Sequence, residues 1–134
     1  MCERYSGPGK VHCISAYHQP YQPFDVAVCF LVLMFLPVSQ RRLLIENLRR
    51  SLNRGGVIVV FDKVSPDAGY FGTVTRRLTM SWKLSNGATP ENIVAKELSL
   101  SGVQRPINPD ILGKDAIPFF TFGEFAGYVI EREE

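Results

Sequence analysis

The sequence is poor in the groups that most often mark a chemistry. It holds two histidines and three cysteines. His12 and His18 stand apart with no carboxylate or cysteine set around them, which argues against a metal centre. There is no CxxC pair, no recognisable nucleophilic triad and no glycine-rich phosphate loop. The Gly7-Pro8-Gly9 turn contains a proline and opens no helix pattern, so it does not qualify as a phosphate cradle. Charge of one sign is not in excess. A formal net charge of +2 gives no argument for nucleic acid or an anionic membrane as partner. Long apolar runs are also missing: the stretch from Val26 to Val38 is about a dozen residues, short of the roughly 20 that cross a bilayer as a helix. No repeat or low-complexity segment is present. Cys2, Cys13 and Cys29 are odd in number and follow no secretory leader, which predicts reduced thiols and a cytoplasmic setting. Cys29, inside an apolar run, reads as a small core residue.

What is present is a 134-residue chain, 46% hydrophobic, long enough for one domain with its own core. Its clearest organisation runs from Phe24 to Lys63. FDVAVCFLVLMFLP reads as an apolar strand, SQRRLLIENLRRSLNRGG as an amphipathic helix and VIVVFDK as a second apolar strand. Ser39 is the expected helix N-cap, Leu44, Ile45, Leu48 and Leu52 form the stripe that faces a sheet, and Gly55-Gly56 is the expected stop. Arg41, Arg42, Arg49, Arg50 and Arg54 read as a solvated helix surface. Two near-continuous apolar strands joined by a helix predict a parallel pair buried on both faces, with ligands beyond the carboxyl ends.

The flanks are read more coarsely. Residues 1–23 carry a short strand at Val11 to Ile14 and a proline-interrupted loop from His18 to Pro23. Phe71, Val74, Leu78 and Trp82 share one face of a helix from about Ala68 to Ser85. Thr89-Pro90-Glu91 starts another helix that stops at Gly102. Residues 103–118 look irregular, and Phe120 to Glu131 reads as a closing strand with a bulge. The expected organisation of 1–134 is therefore a single domain. It comprises an N-terminal strand and loop (1–23), a βαβ core (24–63), a helical cap (64–102), and a loop with the closing strand (103–134).

These residues resemble the second half of a class I S-adenosylmethionine-dependent methyltransferase. Asp25 opens the strand that matches the family's fourth, and the NRGG turn leads into the strand that matches the fifth. Phe35-Leu36-Pro37 and Asp62-Lys63 are similar to the carboxy-S-adenosylmethionine synthase branch. The implied fold class is α/β: a truncated Rossmann-like sheet, mostly parallel with an antiparallel C-terminal strand and helices on its faces. The family's glycine loop and ribose-binding acid should precede Val11, where ten residues do not hold them. Ser15-Ala16 stands where an adenine-binding aspartate is usual.

The resemblance thus implies S-adenosylmethionine as cofactor but an incomplete site and no metal. Its cofactor-binding candidates are Ser15, Ala16, Tyr17, Cys29 and Phe30, and its substrate-binding candidates are Asp62, Lys63 and Arg105. Asp62-Lys63 reads either as a ligand contact or as an ion pair, and Arg105 either as an anion contact or as the partner of Glu124. Loss of central strands would leave the fourth-strand edge open. The expected role is a non-catalytic binding or assembly module, with a homodimer or a partner protein covering that edge and no membrane partner. The alternative is an active methyltransferase whose site is completed by a second subunit or by residues upstream.

Overall fold

A computed structural model describes residues 7–65 and 69–133. Cys2 and the expected helix start at Ala68 lie outside the described residues. Four strands form one sheet: β1 (Phe24–Phe30), β2 (Leu52–Lys63), β3 (Ile117–Phe122) and β4 (Phe125–Glu131), in the order β1-β2-β4-β3. Helix α1 (Val38–Ser51) joins β1 to β2, while α2 (Tyr70–Ser85) and α3 (Pro90–Leu100) follow β2. β1 and β2 are parallel, and β4 is antiparallel to both of its neighbours. Three strands therefore run one way and β4 alone runs against them, as the α/β reading required. The closing segment is a hairpin of two strands, because Gly123, at φ 59°, turns the chain between β3 and β4.

The core lies between α1 and one face of the sheet. Leu44, Ile45 and Leu48 of α1 pack with Cys29, Ile58, Val60 and Ile130 from three strands. Leu33, Ile107 and Leu112 close its ends. The other sheet face is different. Cross-strand pairing aligns Val28, Val59, Val129 and Ile117 in one row and Phe30, Phe61, Gly127 and Phe120 in the next. Phe30 stacks on Phe61 with ring centroids 5.2 Å apart, and Phe120 lies at the same distance on its other side. Val26, Val28 and Phe30 remain 60–63% exposed. The expectation that β1 is buried on both faces is thus corrected: an edge strand whose second face no described element covers presents those side chains to solvent.

Local chemistry explains three further differences. Val11 to Ile14 form no strand and are exposed, since no described strand neighbours them to pair with. Helix α1 is preceded by Pro37, and Ser39 lies inside the helix rather than capping it. Gly55-Gly56 does not end the helix. α1 stops at Ser51, Leu52 is already extended and pairs with Phe24, and Val57 pairs with Val26. The residues between loop out as a bulge, with Gly55 at φ 72° and the Asn53 amide donating to Asp25 Oδ1 at 2.8 Å. α3 begins as read: the Thr89 hydroxyl accepts from the Asn92 N–H at 3.2 Å, with Pro90 at its first position. No described helix is long and apolar enough to cross a membrane.

The bulge fixes the register of the parallel pair, so its tightest point is a sensitive one. A Cβ on Gly56 would stand 2.8 Å from the Asp25 carbonyl oxygen and 2.9 Å from that of Asn53. Gly56→Ala is expected to destabilise the chain by about 1–3 kcal/mol in urea unfolding, the usual range for overpacking against backbone. An unchanged midpoint would show that the bulge is not needed for register.

Candidate functional site

The carboxyl end of β2 gathers polar groups that a sheet interior otherwise excludes. β1 ends in a sharp turn at Leu31, whose φ of 55° is a left-handed value unusual for a branched residue. A short 3-10 turn (Leu33–Phe35) follows. Asp62, 0% exposed, holds this turn from beneath. Its Oδ2 accepts the Leu33 N–H at 2.7 Å and the Met34 N–H at 3.4 Å, while Oδ1 accepts the Lys63 N–H at 2.8 Å. Burial raises the Asp62 pKa, and these backbone donors oppose the rise by favouring the carboxylate.

Arg41 is the second buried charge, 3% exposed. Nε donates to the Leu36 carbonyl, Nη1 to that of Pro106 at 3.1 Å, and Nη2 to that of Arg105 at 2.8 Å. Burial lowers its pKa, and the Asp62 carboxylate acts the other way. The reading of Arg41 as a solvated surface residue is corrected. Its position three residues before Leu44 and four before Ile45 puts it on the apolar stripe, and that spacing was the available signal.

The substrate-binding candidates do meet at this rim. Lys63 Nζ lies 3.1 Å from Glu124 Oε2 and 3.4 Å from Gln104 Oε1. The Arg105 N–H donates to the Met34 carbonyl at 2.9 Å, and the Ile107 N–H to that of Lys63 at 2.8 Å. Glu124 is therefore the partner of Lys63, and the Arg105–Glu124 bridge, one of the two readings of Arg105, is not formed. The Arg105 side chain is exposed and joins no ion pair among the described residues. A guanidinium held by its backbone at a sheet rim suits a carboxylate or phosphate oxygen.

The cofactor candidates are not brought to that rim as a set. Ala16 and Tyr17 pack against the core on the α1 side, and the Tyr17 carbonyl accepts from the Asn47 amide at 3.1 Å. Ser15 precedes them at the start of the same 3-10 turn (Ala16–His18). The Cys29 thiol is inside that core, whereas Phe30 lies on the opposite sheet face against Phe61. Asp25 is exposed at the start of β1, with the length of the strand between it and the rim. A shallow hollow lined by Gly55, Val57, Glu131 and Arg132 is likewise at the amino end of the parallel pair. Among the described residues no group of three His, Cys, Asp or Glu side chains gathers to hold a metal ion.

Comparison with known proteins places this geometry in a lineage. No family model matches the chain. The carboxy-S-adenosyl-L-methionine synthase of Staphylococcus epidermidis is 28% identical over 107 residues, covering 74% of this chain and 47% of that protein. The synthase of Chromohalobacter salexigens is 34% identical over 90 residues, 66% of this chain and 33% of its own length. That of Shewanella oneidensis is 31% identical over 82 residues, 61% and 34% respectively. The chain spans less than half the length of these curated relatives. The apo crystal structure of the S-adenosylmethionine-dependent methyltransferase SibL matches 92% of this chain and 35% of that one, with TM-score 0.53 and 12% identity. The chain is thus related in sequence to carboxy-S-adenosyl-L-methionine synthases and has a methyltransferase-like α/β fold, as its residues suggested.

Two outcomes follow from the buried groups. Asp62→Ala leaves three backbone N–H groups without their acceptor and is expected to lower unfolding stability by about 3 kcal/mol; a loss under about 1 kcal/mol would show that the carboxylate does not hold the turn. Burial, with the nearby Asp62 charge, pushes the Cys29 thiol up to about 11 from its ordinary 9.0. Its protonated form is favoured in the fold, so this contribution to stability is complete below pH 9 and is lost as pH rises toward 11. In a Cys2→Ser, Cys13→Ser background, Cys29 should resist alkylation at pH 8 until denaturant is added.

Proposed function

We propose that this chain is a methyltransferase-like assembly module that does not complete an S-adenosylmethionine site by itself. The observation that carries the reading is β1. Its outer backbone edge is unpaired within the described sheet, and its outward face of Val26, Val28 and Phe30 is uncovered. Edge strands that remain single are usually blunted by lysine, proline or an inward charge. From Val26 to Phe30 this strand has none of these.

A second copy is the fitting occupant. Antiparallel pairing of two β1 strands about Val28 sets Val26 opposite Phe30 and places no like charges across the two-fold axis. The module would then extend one sheet across two chains and continue the apolar rows of valine and phenylalanine. The placement of Ser15, Ala16, Tyr17, Cys29 and Phe30 supports the non-catalytic part of the reading. With the thiol in the core and the ring on the other sheet face, these side chains do not fit a single cofactor, and no catalytic step is assigned to them.

The rim of Lys63, Gln104, Arg105 and Glu124 favours a second reading, an S-adenosylmethionine-dependent methyltransferase whose site is completed by another subunit or by residues upstream. This rim lies where ligands of such sheets bind. The two readings part in solution. Calorimetric titration of the chain with S-adenosylmethionine and with its demethylated product should give no saturable heat, and micromolar binding would defeat the assembly reading in favour of the second. Sedimentation should show a dimer, and Val28→Lys should weaken it about tenfold, about 1.4 kcal/mol, by setting like charges directly opposite each other across the two-fold axis. A strictly monomeric chain would remove the second copy from the proposal.

A further inference from the structure

Helix α2 has its apolar side turned outward. At 100° per residue, Tyr70, Phe71, Val74, Leu78 and Trp82 fall within an arc of about 120°. Such a stripe normally marks the buried face. Here Tyr70, Phe71, Leu78 and Trp82 are 62–74% exposed, Val74 is half-buried, and no residue of the helix is fully buried. The side turned toward the rest of the chain is small and polar. Gly72, Thr75, Thr79 and Lys83 are half-buried on it, and a Cβ on Gly123 of the β3–β4 turn would meet Thr79 Oγ1 at 3.9 Å. Lys83 also ties the helix to α3 through Glu97 at 3.2 Å. The polar side of α2 is thus the one that meets α3 and the β3–β4 turn.

Charge on α2 is of one sign. Between Gly69 and Pro90 the chain has Arg76, Arg77 and Lys83 and no acidic residue. Arg76 and Arg77 are exposed and form no ion pair among the described residues. Arg77 borders the apolar stripe, with Met80 and Leu84 beyond it, and Arg76 lies on the far side. The net charge of +2 for the whole chain conceals this local excess.

We infer that α2 is an in-plane membrane anchor that lays Phe71, Leu78 and Trp82 into the surface of an anionic bilayer, with Arg77, at the border of the stripe, at its phosphate groups. An exposed apolar stripe, aromatic residues of mixed polarity at its ends and cations without acids are the features that hold a helix at a lipid interface. A second copy on this surface is disfavoured, because it would set the Arg77 of each chain beside the same apolar stripe with no acidic residue of α2 to pair it. This surface is separate from the β1 edge, so neither proposal depends on the other.

Trp82 is the single tryptophan and lies on the stripe, so its emission reports binding directly. The full chain is mixed with vesicles of phosphatidylcholine alone or with an equal part of phosphatidylglycerol, and followed by emission and flotation. Blue-shifted emission and flotation are expected with the anionic vesicles only, weakening with salt. Leu78→Glu should abolish both while leaving the circular dichroism unchanged. Arg77→Glu should lower affinity at least about fivefold, since each cation near an anionic surface contributes a factor of about five. Equal binding to neutral vesicles would overturn the inference, as would flotation that survives Leu78→Glu. A folded chain that floats with neither vesicle would also overturn it and leave the stripe to a protein partner.

Discussion

Two buried charges hold the carboxyl end of this sheet together, and most of the described architecture depends on them. Asp62 rises from β2 beneath the turn that ends β1, and Arg41 reaches from α1 to the carbonyls of Leu36, Arg105 and Pro106. Neither is a surface ion pair of small consequence. Each is spent on backbone groups that would otherwise be buried without partners, because the chain leaves the sheet here in irregular conformation. Leu31 is kept at positive φ by this arrangement, and the segment of Arg105 to Ile107 is laid against β2 by it. The rim residues Lys63, Gln104 and Glu124 then find one another because their backbones have been placed.

The parts of this fold legible in the sequence were those set by local period and punctuation. The apolar runs of β1 and β2, the Leu44–Leu48 stripe, and the Thr89-Pro90 start of α3 each carry their information within a few residues. The Asp25, Phe35-Leu36-Pro37 and Asp62-Lys63 pattern was enough to identify the lineage. Tertiary facts were not legible in this way. Gly55-Gly56 carries the composition of a helix stop, but pairing of Leu52 with Phe24 makes it a bulge within a strand. Arg41 looks like a neighbour of Arg42 until the carbonyls it serves, more than sixty positions away, are known. The rim could be listed residue by residue from the sequence, but the pairing of Lys63 with Glu124 rather than Arg105 with Glu124 needed the hairpin between β3 and β4.

Apolar surface is divided unevenly over the chain. One side of the sheet is sealed by α1, while the other carries a ladder of Phe30, Phe61 and Phe120 with open valines beside it. α2 repeats the pattern on a helix. A domain of this size normally turns its longest apolar stripes inward. Here the buried core is built from α1, the 3-10 turns and the sheet, and the stripes left outside have different electrostatic characters. The β1 face is uncharged, whereas α2 is cationic. That difference is what assigns different proposed partners to the two surfaces, a second chain at β1 and lipid at α2.

The Asp62 cap also fixes what kind of recognition the rim can offer. At the ends of parallel strands, proteins often meet an anion with free backbone amides. The amides of Leu33 and Met34 point instead at Asp62, and that of Lys63 at the same carboxylate. An anionic visitor finds those donors already occupied, with a negative charge behind them. An anion reaching this rim would instead meet long side chains such as Arg105, which act by reach and charge rather than by the fixed spacing of a peptide backbone.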